Sequence, residues 1–185
     1  MSRCPDVINA QEGFFDVESV WPKLEQALRQ AISNLVAMRE TEGSNIYGDF
    51  IKRADLIAEK LAVIEERSPQ VVEEYQIRLS DRINELLAKH NQVIEPERLL
   101  QEVAIFADRT SITEEIVRLK SHIKQFRLII DADQPVGRKL DFLIQEFNRE
   151  ANTIASKAND YTLAQVVVEI KAEIEKIREQ IQNIE

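Results

Sequence analysis

From Leu163 onward the apolar residues fall at 163, 167, 170, 174, 177, 181 and 184, in alternating steps of four and three. Such a seam runs down one side of an α-helix and has to be buried against other helices. Isoleucine fills most of it, which suits packing among several helices better than a two-stranded parallel coil. The same rhythm recurs upstream. Trp21, Leu24, Leu28, Ala31, Leu35 and Met38 mark a first helix, which Glu42-Gly43 is expected to break. Phe50, Ala54, Ile57, Leu61 and Ile64 mark a second. Ser68-Pro69 reads as a cap followed by a first-turn proline, opening a third through Val72, Tyr75, Leu79, Ile83 and Leu86. That helix is expected to end near His90-Asn91, and Glu95-Pro96 starts a fourth through Leu99, Val103 and Phe106. Ser111 and Glu114 have capping-box spacing for a fifth, whose stripe runs from Ile112 to Ile130. After the turn at Asp131–Gly137, a sixth carries Leu140, Leu143, Ile144, Phe147, Ala151 and Ile154. Thr162 is placed to cap the seventh.

With only four Gly and five Pro in 185 residues, a turn-rich β architecture is excluded. The expected fold is all-α: an elongated bundle of long antiparallel helices with a coiled-coil-like C-terminal helix. The net charge of -9 means that any nucleic-acid contact must come from a local basic patch, and DNA is not an expected partner. Cys4 is the only cysteine, so there is no intrachain disulfide, and a reducing cytoplasm fits. No apolar run approaches the roughly 20 residues of a membrane span.

Two helices carry candidate chemistry. On the fifth, Glu115, Arg118 and His122 share one edge of the apolar stripe. A carboxylate, a guanidinium and an imidazole in a row can transfer protons and steady a phosphate; they can equally form a surface ion-pair ladder. On the sixth, Glu146 and Glu150 are i, i+4, a spacing that can offer two oxygens to one hard divalent ion. Like charges at that spacing repel slightly, and Lys139 and Lys157 on the same side are a simple compensation. The other flank carries Asp141, Gln145, Asn148 and Asn152. Their amides can read hydroxyls, bases or phosphates, or form a polar seam between helices. Arg138, Lys139, Arg149 and Lys157 supply local positive charge, and Phe142 projects away from the apolar stripe, where it can stack on a base or, the use favoured here, bury in an oligomer contact. Walker, Rossmann, nucleophile-elbow, HExxH and zinc-finger patterns are absent from the sequence.

Several ordered blocks carry a resemblance. They are Gln101-Glu102-Val103-Ala104, Ala107-Asp108-Arg109, Thr113-Glu114-Glu115, Arg118-Leu119, Ser121-His122, Val136 through Phe142, Gln145 through Glu150, Asn152-Thr153, Ser156-Lys157, and the closing Glu175 to Gln180 and Gln182 to Glu185. Together they resemble the C-terminal region of the YicC/YloC family, and Arg39-Glu40-Thr41-Glu42-Gly43 resembles an upstream family block. The resemblance implies an endoribonuclease that depends on a divalent metal cation, Mg²⁺ or Mn²⁺, acts on RNA and assembles as a homo-oligomer, a hexamer in the family. It also implies an N-terminal α/β portion ahead of this region, so residues 1–18 read as an arm left from it. Residues 19–94 then read as a helical linker or hairpin region, and 95–185 as the family's C-terminal helical domain. In that picture Glu115, His122, Glu146 and Glu150 are the catalytic, metal-holding residues. Arg118, Arg138, Lys139, Asn148, Arg149, Asn152 and Lys157 are the RNA-binding ones. Without that portion the chain is expected to be inactive or impaired in cleavage, and the competing readings are a non-catalytic oligomerisation scaffold or a pure RNA-binding module.

Overall fold

The computed structural model describes residues 17–88, 96–132, 134–182 and 184. Among them five helices and no strands occur: α1 (Val17–Ala88), α2 (Pro96–Thr110), α3 (Thr113–Ile130), α4 (Gly137–Lys157) and α5 (Tyr161–Ile181). The chain is all-α, as the periodicity requires. The expected arm falls mostly on residues 1–16, and the expected end of the third helix on 89–95; both lie outside the described residues.

The three helices read before residue 90 are one. α1 runs 72 residues without interruption, so Glu42-Gly43 does not break it and Ser68-Pro69 does not start a new one. Gly43 and Gly48 each cost a helix only about 1 kcal/mol relative to alanine, and α1 runs on through both. Pro69 costs more, about 3 kcal/mol, because it cannot donate to the Glu65 carbonyl. The turn is held from both sides. Ile64 and Val71 are buried, and Arg67 binds Glu74, seven residues on, at 2.9 Å and Asp160 at 2.8 Å.

The chain divides into two units, Met1–Asn45 and Ile46–Glu185. In the first, the described part is helix with Trp21, Leu24, Leu28, Ile32 and Leu35 all more than half exposed. Its stripe is real, but no described residue of the unit covers it.

The second unit is a four-helix bundle with α2 attached. Residues 50–71 of α1 run antiparallel to α3, as the pairs Asp55–Arg127 and Glu65–Lys120 require. They also run antiparallel to α5, through Arg53–Glu173, Lys60–Glu169 and Arg67–Asp160. α4 packs between α3 and α5 on the far side. The four apolar stripes therefore meet on one axis, the up-down arrangement that the short α3–α4 and α4–α5 connections favour. Phe50, Phe126 and Phe147 are the largest buried side chains; Phe126 meets Phe50 edge-on at 5.5 Å and lies 6.0 Å from Phe147. Leu163, Val167, Ile170, Ile174, Ile177 and Ile181 are all buried, so the C-terminal seam is the α5 share of this core. Tyr75 of α1 stacks on Phe106 of α2 with ring centroids 3.7 Å apart.

Two caps differ from expectation. The residue before α3 is Ile112, with no side-chain cap. Ser111 lies one residue further out, its carbonyl accepting from Lys157, and Glu114 turns outward to Arg118. At α5 the cap is Asp160 rather than Thr162: its Oδ1 accepts from the Leu163 N–H at 2.9 Å. A carboxylate satisfies an orphan N–H and complements the helix N-terminus better than a hydroxyl does. The Arg67 guanidinium leads in holding the Asp160 carboxyl below its ordinary value; burial opposes it, and backbone N–H donors assist.

Candidate metal centre

α3 and α4 are joined by a short turn and lie antiparallel, so the edge of one stripe faces the edge of the other. On α4, at about 100° per residue, Lys139, Glu146, Glu150 and Lys157 share a flank, and that flank faces α3. His122 meets it. One ring nitrogen of His122 and one carboxylate oxygen each of Glu146 and Glu150 lie within 4.8 Å of one another. Phe147 backs the imidazole at a ring separation of 6.2 Å.

The electrostatics of this cluster are unbalanced. Glu150 is 3% exposed, yet among the described residues its carboxylate accepts no hydrogen bond. The nearest cation is an Arg118 nitrogen 3.8 Å away, and that guanidinium also binds Glu114. His122 Nδ1 is buried and has no hydrogen-bond partner. Glu146 is half-buried and has only a loose contact with Arg149 at 3.6 Å. A buried carboxylate without a hydrogen bond is costly; a second carboxylate beside it adds repulsion. Both costs fall if a cation sits among the three donors. Oxygen and imidazole donors this close can share one ion at bond lengths of about 2.0–2.6 Å, and the set suits Mg²⁺ or Mn²⁺.

Glu115 does not join them. It is buried, and its Oε1 accepts from Lys157 Nζ at 2.8 Å, while Oε2 has no partner. Burial pushes its carboxyl upward, but the Lys157 ammonium, its own backbone N–H and Arg118 outweigh this and hold it below the ordinary value. Lys157 also donates to the Ser111 carbonyl at 3.1 Å, so its charge is committed within the molecule. Along α3, His122 follows Glu115 by seven residues; along α4, Glu150 precedes Lys157 by seven. The ion pair and the His122–Glu150 encounter are therefore the same register, two turns apart.

Of the remaining expected RNA contacts, Arg138 and Lys139 are exposed and have no ion-pair or hydrogen-bond partner among the described residues. Arg149 is exposed on the outer face of α4. Asn148 and Asn152 are about 200° around α4 from Glu146 and Glu150, so they do not reach the His122 cluster. They line an open groove of about 560 Å³ between α4 and α5 with Gln145, Arg149 and Thr153, faced by Glu175 and Arg178. The two α5 residues were not singled out from sequence. Their signal was the i, i+3 placement beside the Ile174–Ile177 seam, which turns them toward a neighbouring helix.

Comparison with known proteins agrees with the resemblance. Residues 64–185 match the family described as "Endoribonuclease YicC-like, C-terminal", and residues 1–48 match "Endoribonuclease YicC-like, N-terminal region". The chain is 49% identical over 185 residues, its whole length, to a probable endoribonuclease YicC of Clostridioides difficile (strain 630), covering 63% of that protein. It is 37% identical over 183 residues, 99% of the chain, to a probable endoribonuclease YicC of Haemophilus influenzae (strain ATCC 51907 / DSM 11121 / KW20 / Rd), covering 62% of it. It thus spans less than two thirds of the length of these relatives. The chain belongs to the YicC-like endoribonuclease family.

Proposed function

We propose that this chain carries the metal-dependent centre of an endoribonuclease that hydrolyses phosphodiester bonds in RNA, with Mg²⁺ or Mn²⁺ held by His122, Glu146 and Glu150. The observation that carries the reading is the under-partnered trio itself: a buried carboxylate, a second carboxylate and an imidazole with their donor atoms within 4.8 Å. When bound, a divalent ion supplies Lewis acidity toward the scissile phosphate and makes water a nucleophile near neutral pH. The chain's own residues do the rest. Arg118, half exposed at the rim, would hold a phosphate oxygen by charge-assisted hydrogen bonds. Lys139 stands two turns before Glu146 on the same flank and would hold a neighbouring phosphate; Arg138, a residue earlier, would do so from the outer face. Glu115 and Lys157 would act by position, keeping α3 and α4 in register.

The test pairs binding with cleavage. Calorimetric titration with Mn²⁺ should find one ion per chain, lost in Glu150→Gln and weakened in Glu146→Gln and His122→Ala. Labelled RNA should be cut with Mn²⁺ and not with EDTA. Cutting that survives in EDTA, or a Glu146→Gln/Glu150→Gln double variant that still binds the ion, would overturn the assignment.

We also propose assembly into a homo-oligomer, a hexamer by family resemblance. The uncovered stripe of Trp21, Leu24, Leu28, Ile32 and Leu35 supports it, since a row of exposed large apolar residues is rarely left to water. Light scattering that finds only monomer at micromolar concentration would remove this part.

A further inference from the structure

We propose that the groove between α4 and α5 is a binding site for unpaired RNA, gripping nucleotides that flank the one placed at His122, Glu146 and Glu150; the identity of the polymer rests on the endoribonuclease reading above. The groove holds about 560 Å³, within the usual range for small-ligand sites. Its α4 wall presents the amides of Asn148 and Asn152, neither of which has a hydrogen-bond partner among the described residues. Asparagine is a poor helix former, and here it does not compensate by bonding within the protein, so these groups are available to a ligand. Each offers a donor and an acceptor, the complement of a 2′-hydroxyl or a base edge.

Two arginines line the same groove. Arg149 is 71% exposed and contacts Glu146 only at 3.6 Å; Arg178 is 46% exposed and contacts Glu175 only at 3.7 Å. Neither contact is a hydrogen bond, so both remain free to take phosphate. Arg149 lines the groove and also touches a member of the His122 cluster, which makes the outer face of α4 a continuous path between the two. Phe142 lies on that face two turns before Arg149 and is 68% exposed. An aromatic ring on such a path stacks on a base that is not already paired. Amides reading base edges and an open stacking ring both favour a single strand over a duplex.

The experiment is fluorescence anisotropy with a labelled, unstructured 12-nucleotide RNA in EDTA, where metal-dependent cutting is silent. The same sequence as DNA and as an RNA duplex serves for comparison. The parent chain should prefer the unpaired RNA over both. Asn148→Ala/Asn152→Ala should weaken binding about tenfold. Arg178→Gln should reduce the slope of log affinity against log salt by about one, and Arg178→Glu, an exposed change that leaves folding intact, should weaken binding further. Unchanged affinity in the amide variant with an unchanged melting curve would overturn the proposal. So would equal affinity for duplex, or loss of binding in none of the Arg178 variants, which would assign the groove and Phe142 to a protein contact. Binding that follows these variants while no RNA is cut in Mn²⁺ would sink the catalytic reading and leave the groove standing.

Discussion

Replacing Lys157 by methionine tests whether its pair with Glu115 fixes α3 on α4. The Glu115 side chain is 6% exposed and that of Lys157 36%. Breaking a fully buried ion pair costs about 3–5 kcal/mol, because the surviving charge is left without a partner. Here the lysine end reaches water and Arg118 still helps the carboxylate, so the cost falls to about 1–3 kcal/mol. It does not vanish, since Oε2 of Glu115 already has no hydrogen bond and the methionine variant strips Oε1 as well. In a domain of this size each kcal/mol moves the midpoint by roughly 2–4 °C, so a thermal melt at pH 7 should fall by about 2–12 °C. The sign with pH is set by the depressed carboxyl of Glu115. Its stabilisation is present in the parent above the ordinary value of 4.5 and is lost as pH falls through the lower folded value. The gap between parent and variant should therefore close in acid. Glu115→Leu/Lys157→Met, which removes both charges, should recover most of the loss. Because the same register brings His122 to Glu150, the single variant should also weaken Mn²⁺ binding by about tenfold, as losses of supporting contacts around metal ligands do. A variant that melts with the parent at pH 7, or a gap that persists unchanged below pH 4, would refute the reasoning.

Three further outcomes follow from the fold. Pro69 is exposed within a continuous α1, so Pro69→Ala should restore a hydrogen bond to the Glu65 carbonyl and stabilise the chain by up to about 3 kcal/mol, read by urea denaturation; destabilisation would mean that the proline turn is needed. Asp160→Asn keeps a good cap but loses the charge that Arg67 holds. Its melting temperature should lie below the parent's at neutral pH, and the two should converge as pH falls below the ordinary 3.8 of the aspartate, because the parent's advantage is lost through the depressed folded value. Phe147 is fully buried between Phe126 and His122, so Phe147→Ala should cost about 3–5 kcal/mol and weaken Mn²⁺ binding at temperatures where the variant is still folded.

What could be read from the residues and what could not divide along a physical line. Burial periodicity is a property of one helix, and it located the core well: the Leu163-to-Ile181 seam and the stripes through Phe126 and Phe147 are buried. Boundaries and caps depend on competition with neighbours. Pro69 reads as a start because its local preference is unambiguous, yet Arg67, through Glu74 and Asp160, holds the turn in one helix. Ser111 reads as a cap because its spacing to Glu114 is right, yet the residue that precedes α3 is Ile112 and Arg118 takes Glu114. The same limit governs the site. That Glu146 and Glu150 share a flank follows from i, i+4 spacing alone, as does the shared edge of Glu115 and His122. Which turn of α3 meets which turn of α4 does not, because sliding two antiparallel helices by one turn preserves every single-helix pattern. Glu115 and His122 could not therefore be told apart as metal donors from one helix. The missing information lay in a pair of spacings: an acid seven residues before the histidine on one helix, and a base seven residues after the glutamate on the other. In an antiparallel pair those distances coincide, and only this register carries the Lys157 ammonium to the buried Glu115 carboxylate. The ion pair selects the alignment, and the alignment leaves His122 facing the two carboxylates that have no cation close enough to satisfy them.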